Sequence, residues 1–445
     1  MSQSAIRHAI VIGGGASGVL LAHQLLHQPA SNFRVTLIET RAEIGRGLAY
    51  HTGNPDHLLN VRAANMSALP DQPDHFWQWA ASQDIAICPD PFCFVPRRVY
   101  GTYIASLIEP IIASNSDRLT IVQETCVEVR ESAAGVDVTL AGGQRLTGDI
   151  AVLATGHDTG EPKPGAYANP WAPPAGMDKD SAVLILGTGL TMVDYVLSLL
   201  RDGHRGEIVA ISRRGLLATA HRRVTPIRIE EADVPFGQGS GALFRWFRRR
   251  VEAHVAEGGD WRSVVDAIRP YTQRVWRELS VPSRRRFLEH ARAWWDVHRH
   301  RMAPEVEARI ASALSEQKLK VMAAKIVALT PGEGGVSVQY RPRGGSDIRT
   351  MQVGAVVDCT GVVKDPRATA NPVVRNLLQE GRARIDPLRI GIDVSADCAI
   401  IDGNGSASQR LFAVGPLTRA AFWEIIAIPD IRNQCAELAA RLARA

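Results

Sequence analysis

The stretch AIVIGGGASGVLLAHQLL, residues 9–26, reads as an apolar strand, a glycine turn and a helix, which commits this part of the chain to a doubly wound α/β sheet. HAIVIGGG is apolar almost throughout, as a parallel strand covered on both faces should be. Gly13, Gly15 and Gly18 satisfy G-x-G-x-x-G. One glycine makes the turn, the next lets a pyrophosphate approach the backbone, and the third packs helix on strand. The helix N-terminus offers free N–H groups and positive dipole to the phosphates. The following strand, FRVTLIE, ends in Glu39, placed to accept hydrogen bonds from a ribose diol.

A second unit of this kind starts at VLILGTGLTMVDYVLSLL, residues 183–200. Gly187, Thr188 and Gly189 form its turn, but Met192 occupies the third glycine position, so its helix is expected to stand slightly further from its strand. Its second strand, GEIVAISRRG, ends in Arg213 and Arg214 where the first unit has Glu39. A carboxylate there repels a 2′-phosphate, whereas guanidinium groups pair with it. The first site is therefore expected to take an adenosine without a 2′-phosphate, and the second to prefer NADPH. Two solvated arginines at a strand end are the alternative. Two dinucleotide sites on one chain suggest electron transfer between two cofactors, with FAD in the first and NADPH in the second.

Three further segments fit that pairing. DIAVLATGHD (149–158) and GAVVDCTGVV (354–363) are short apolar strands that end in turns at Gly156 and Gly361, where two-dinucleotide flavoproteins cross between domains. RLFAVGPLTRAAFWEIIAIPDI adds a buried strand, Gly415 and then a predicted helix. Its N-terminus would face the flavin edge that gathers negative charge on reduction.

The combination GGGASG, GRGLAY, HLLNVRAANMSALPD, FVPRRVYG, LATGH, GTGLTMVD and GPLTRAAFWEIIAIPDIR resembles a family of FAD- and NAD(P)-binding proteins. That family includes a bacterial FAD-dependent urate hydroxylase and flavin-dependent aspartate N-hydroxylases, and is more distantly similar to ornithine and lysine N-hydroxylases. The resemblance spans almost the whole chain. With Gly156, Gly361 and Gly415 also expected to contact FAD, it adds Ser17, Arg46, Tyr50 and Pro416 to that set. Pro416 is a departure, because many flavoproteins carry there an Asp that contacts the ribityl–phosphate arm.

The expected architecture is α/β, with two Rossmann-like dinucleotide-binding domains (FAD and NADPH) and a helical insertion. Residues 1–158 begin the FAD domain, and 159–180, rich in Pro and Gly, form a linker. Residues 181–354 form the NADPH domain, with the insertion at about 240–302, and 355–445 complete the FAD domain. Between Arg245 and Arg301 stand fourteen arginines, no lysine and seven acidic residues, a net charge of +7 against +5 for the whole chain. Arginine suits planar carboxylate or phosphate recognition, while solvated faces of amphipathic helices are the competing explanation. Phe244, Phe247, Val251 and Val255 recur at helical spacing, as do Phe287, Trp294 or Trp295, and His298.

The polar segment 45–70, at the carboxyl end of the sheet, is the expected flavin-side active site. Its candidate catalytic residues are His57, Asn60 and Asn65, and its candidate substrate contact is Arg62. Arg97, Trp295 and His298 are further substrate candidates. Asn and His in long loops also serve simply to satisfy turns. Cys88 and Cys93 have the C-x4-C spacing of a redox disulfide, but the prolines in CPDPFC and its late position argue against one. His298 and His300 point about 200° apart on a helix, so no metal is expected.

No apolar run approaches the roughly 20 residues that cross a bilayer. There is no signal-peptide pattern, and the six cysteines are scattered, so a cytoplasmic chain with free thiols is expected. The expected partners are a small polar, anionic substrate and O2, with neither nucleic acid nor membrane. The reading is a monooxygenase acting through a flavin C4a-hydroperoxide on an amino-acid nitrogen or a purine such as urate. A flavin reductase or oxidase, or a nucleotide-holding redox sensor, is the rival.

Overall fold

The computed structural model describes residues 6–28, 32–83, 90–114, 117–160, 167–171, 176–361 and 365–444. The chain divides into two units. The first comprises Met1–Gly53, Val61–Glu161 and Val362–Ala445; the second comprises Asn54–Asn60 and Pro162–Gly361.

In the first unit the strand Arg7–Ile12 pairs in parallel with Phe33–Glu39 on one side and Ile150–Leu153 on the other. The six-stranded sheet runs Ala399–Ile401, Ala407–Ala413, Ile150–Leu153, Arg7–Ile12, Phe33–Glu39, Leu119–Gln123. The chain leaves the central strand first to one side and later to the other, which opens a crevice at the carboxyl ends of the strands. The helix Ala16–His27 covers one face, burying Val19, Leu20, Leu21 and Leu25 completely or nearly so. Each such side chain contributes about 1.5–3 kcal/mol by leaving water. A separate antiparallel sheet, Cys126–Glu131, Val136–Leu140 and Arg145–Gly148, belongs to the same unit.

The second unit repeats the scheme. Val183–Leu186 is central between Ile208–Ser212 and Ala355–Asp358, again parallel. Beyond Ile208–Ser212 lies Leu319–Gly332, which turns back into the antiparallel strands Gly335–Pro342 and Arg349–Val353. Two boundaries shift from the sequence reading. The strand Ala355–Asp358, expected to open the return to the first domain, completes the second sheet instead. Within the expected linker 159–180, Tyr167–Ala168 pairs with that strand as an edge. A two-residue edge strand needs backbone partners rather than a hydrophobic pattern, so its sequence is silent.

The insertion consists of the helices Ser240–Ala256, Trp261–Ala267, Thr272–Glu278, Val281–Arg286 and Arg292–Arg299, with a π-helical turn at Phe287–Ala291. It packs around Ile229, Val234, Val264 and Ile268. Phe247 and Val251 join that core, but Phe244 and Val255 are 37% and 48% exposed. Helical spacing located a stripe, of which Phe247 and Val251 reach the core while Phe244 stacks on Phe287 nearer the surface. Cys93 is disulfide-bonded, against the expectation of free thiols, and Cys88 lies outside the described residues. Cys126, Cys359, Cys398 and Cys435 are free and buried. No helix among the described residues is long and apolar enough to cross a membrane.

A Cβ at Gly18 would lie 1.9 Å from the Gly13 carbonyl oxygen, whereas one at Gly189 meets nothing within 4 Å. Gly18→Ala should therefore lower the unfolding free energy by about 1–3 kcal/mol. Gly189→Ala should change it by no more than about 0.5 kcal/mol. Urea titration of the two variants measures both.

Candidate functional site

The first glycine turn is closed by sterics. Gly13 has φ 107°, and a side chain there would meet the Ala154 carbonyl at 2.5 Å. Gly15 caps the helix Ala16–His27 with no capping side chain and no acidic residue in the first turn. Its leading N–H groups are thus the unpaired donors that a phosphate accepts from. The loop at 45–50 lies against this turn: Gly45 N–H donates to the Gly14 carbonyl at 2.7 Å, and a Cβ at Gly15 would sit 3.4 Å from Gly47 Cα.

Glu39 braces the turn as well as standing at the strand end. One carboxylate oxygen accepts the Gly14 N–H at 2.8 Å, and the other accepts from Thr40 Oγ1 at 3.0 Å and Arg41 N at 3.1 Å. A carboxylate has about four lone-pair sites, so acceptor capacity remains for a diol.

Arg46, Tyr50 and Arg97 come together at the helix Arg97–Ser106. The Arg46 side chain crosses Gly101, its Cγ 2.9 Å from where a Cβ would stand, and its guanidinium pairs with Glu43 at 3.4 Å. Tyr50 lies with its ring centroid 4.9 Å from that of Tyr100, and burial pushes its phenol above the ordinary range while nearby Arg97 opposes the shift. The helix starts after Pro96 without a side-chain cap.

The later glycines converge on the same unit. Gly415 closes on Ser17, whose Oγ would lie 2.4 Å from a Cβ. Its N–H donates to Gln434 Oε1 at 2.7 Å, and Gln434 Nε2 donates to Thr418 Oγ1 at 3.0 Å. The helix expected directly after Gly415 is instead the four-residue 3₁₀ turn Gly415–Thr418, and the α-helix begins at Ile428. Thr418 Oγ1 donates to the Gly415 carbonyl at 2.8 Å, tightening the turn, and Pro429 suits the first turn of the later helix.

Gly156 and Pro416 line one cleft with His157, Leu417 and Arg419. Burial, assisted by the Arg419 charge, pushes the His157 imidazole down to about 4, so it is neutral at pH 7. Sequence reasoning passed over His157 and Arg419. The available signal was their position within LATGH and GPLTR, just beyond two glycine turns.

The second turn copies the first. Gly187 has φ 101° and a Cβ there would meet the Cys359 carbonyl at 2.6 Å, just before Gly361, which therefore stands in the second unit rather than with the first-unit FAD contacts expected to include it. Gly189 caps the helix Leu190–Arg201, again with no capping side chain. The Thr188 hydroxyl is turned onto the next loop, bonding the Leu216 carbonyl at 2.6 Å and Ser212 Oγ at 2.9 Å. The arginine pair separates: Arg213 is exposed, while Arg214 donates to the His290 carbonyl at 3.1 Å.

The expected active-site loop is divided between the two units. Residues Asn54–Asn60 belong to the second unit, where His57 Nε2 donates to the Asp194 carbonyl at 2.9 Å and Asp56 pairs with Arg309 at 2.9 Å. His57 is a tether to the helix Leu190–Arg201 rather than a free acid or base. The Asn60 carbonyl accepts from His221 Nε2 at 3.0 Å. In the first unit Asn65 is exposed in a 3₁₀ turn, and the Arg62 guanidinium lies 5.2 Å from the Phe92 ring centroid. Trp295 packs on Phe247 in the insertion core, with ring centroids 5.8 Å apart, and His298 bonds the Trp294 carbonyl at 2.8 Å beside Trp261. Both are half-buried and take part in the packing of the insertion.

Residues 10–158 match the FAD-NAD(P)-binding family model, so this segment is an FAD-NAD(P)-binding domain. No curated protein matches the sequence. Among solved structures, an ornithine hydroxylase from Pseudomonas aeruginosa is 14% identical with TM-score 0.64, over 99% of each chain. An L-lysine 6-monooxygenase from Pseudomonas syringae is 15% identical with TM-score 0.65, over 98% of this chain and 99% of that one. A thioredoxin reductase from T. acidophilum is 10% identical with TM-score 0.51, over 98% of each. The fold is thus that of flavin-dependent monooxygenases and reductases, and these likenesses extend across both units.

The neutral His157 sets a pH dependence. Its folded-state pKa, about 4, lies below the ordinary 6.5, so the unfolded chain takes up the proton first. The stability contribution is complete above pH 6.5 and is lost as pH falls toward 4. His23, pushed down to about 4 by burial, adds to the same slope. Urea unfolding at a series of pH values should show stability falling through this window, and His157→Asn should flatten the slope without abolishing it.

Proposed function

We propose that the chain is an FAD-dependent oxidoreductase that draws electrons from NADPH and uses O2 to hydroxylate a small polar, anionic substrate. The observation that carries this reading is the pair of glycine turns with matched sterics and opposite charge. Gly13 and Gly187 make the same close contact with a neighbouring strand's carbonyl, yet one unit places Glu39 and the other Arg213 and Arg214 at the second strand end.

The residues fit the two groups. In the first unit the uncapped helix at Gly15 would take the FAD pyrophosphate, Glu39 the adenosine ribose, and Arg46, Tyr50 and Arg97 the approach beside them. Gly156, Gly415 and Pro416 would shape the flavin end, where neutral His157 and the Arg419 guanidinium stand. In the second unit Gly187 and Gly189 would admit the NADPH pyrophosphate, Gly361 would leave space beside it, and Arg213 would meet the 2′-phosphate. Bound flavin supplies hydride acceptance and oxygen activation; the protein orients the two rings and excludes water.

An amino-acid nitrogen or a purine such as urate is the proposed substrate class. It is supported by the family resemblance, by the monooxygenase fold and by the arginine-rich insertion.

The test is a visible spectrum of the purified protein, followed by NADPH oxidation with urate, aspartate, ornithine and lysine under 18O2. A flavin spectrum with substrate-stimulated oxidation and labelled product supports the monooxygenase. Stimulated oxidation with unlabelled product means a reductase or oxidase, and no flavin after reconstitution with FAD overturns the assignment. The arginine pair gives a second expectation. Arg213→Ala should raise the KM for NADPH about tenfold or more while leaving that for NADH nearly unchanged, as loss of a charge-assisted contact implies. Arg214→Ala should have the smaller effect on that ratio.

A further inference from the structure

The fourteen arginines of the insertion are not equivalent. Arg301 is buried and paired with Asp266, and Arg262 is held by Asp260 at 3.1 Å and by the Ala220 carbonyl at 2.9 Å. Arg274 joins Glu231 to Glu278, and Arg284 bonds the carbonyls of Arg277 and Leu279. These four are accounted for by the fold, since each satisfies a carboxylate or a helix-end carbonyl.

Arg245 and Arg249 are different. They stand one turn apart on the helix Ser240–Ala256, both are exposed, and among the described residues neither forms a hydrogen bond or an ion pair. Like charges at this spacing repel and weaken a helix. Both line a cleft of about 530 Å³ with Phe236, Gln238 and Trp246, a volume in the range of small-molecule sites. The Arg245 guanidinium folds back over the first turn, 3.6 Å from where a Cβ at Gly241 would stand. That turn has no capping side chain and no acidic residue. The one carboxylate in the cleft wall, Asp233, is already drawn to Arg250 at 3.8 Å. Two unpaired forks and an indole therefore face one volume whose single carboxylate is drawn to a third arginine.

We propose that this cleft binds a compact organic or inorganic polyanion carrying two phosphate or carboxylate groups, gripped by Arg245 and Arg249 and lying against Trp246. The site is distinct from both glycine turns, and the inference stands whether or not the cofactor assignment holds. Guanidinium forks match both kinds of oxyanion, so the choice between them is read by experiment.

The test is calorimetric titration of the full chain with inorganic pyrophosphate and, separately, with succinate, at fixed ionic strength and in an Arg213→Ala background so that Arg213 does not compete. Saturable binding is expected, and whichever anion binds tighter identifies the oxyanion class. Arg245→Ala/Arg249→Ala should weaken it about tenfold or more. Arg285→Ala/Arg286→Ala removes the same charge from two exposed arginines elsewhere on the insertion and should change it by no more than about twofold. Circular dichroism and melting confirm that each variant is folded, as exposed side chains allow. Arg245→Lys/Arg249→Lys, which keeps the charge and loses the fork, should fall between the Arg213→Ala parent and the alanine pair. Equal weakening by both alanine pairs, or no binding of either anion by the parent, overturns the proposal.

Discussion

The architecture depends on one close contact made twice: a glycine turn pressed against the carbonyl end of a neighbouring parallel strand. In the first unit the partner is Ala154, in the second Cys359, with 2.5 Å and 2.6 Å between the carbonyl oxygen and a hypothetical Cβ. No side chain is tolerated there, and the left-handed φ values of Gly13 and Gly187 would strain any other residue. The contact brings the carboxyl ends of the central strand and its neighbour together, and starts the helix with its N–H groups facing the crevice. In the first unit a further close approach, Gly18 over the Gly13 carbonyl, seats the helix.

Around this frame the polar groups divide their roles. Glu39 is both a brace for the Gly14 N–H and a strand-end carboxylate, which couples the shape of the turn to its charge. Arg214 takes the opposite course in the second unit, giving donors to the carbonyls of Glu289 and His290 in the insertion. The loop that follows the second strand is thereby tied to the insertion, while Arg213 stays exposed. A guanidinium carries five N–H donors, so this tie does not exhaust Arg214.

The candidate site was legible in the sequence wherever its geometry is set by neighbours along the chain. The glycine spacings, the strand-end charges and the turns at Gly156 and Gly415 follow the motifs, whereas Gly361 falls in the second unit. The polar loop was not legible, because donors such as His57, Asn60 and Asn65 look alike until the fold assigns their partners. His57 turned onto the Asp194 carbonyl, Asn60 offered only its carbonyl to His221, and Asn65 faced solvent. His157 was illegible for the converse reason: its displaced pKa comes from burial and from Arg419, 262 positions away in the sequence.

By itself, then, the sequence determined two strand–turn–helix units of opposite charge and an arginine-rich helical segment inserted after the second strand of the second unit. Periodicity, glycine spacing and charge act over a few residues, and a chain carries them openly. Tertiary structure alone decided that Ala355–Asp358 joins the second sheet, that the last helix waits until Ile428, and that Trp295 packs on Phe247. It also decided which arginines are neutralised and which face an open cleft. Those outcomes rest on pairings between distant segments, where burial and partner, rather than residue type, determine what a side chain can do.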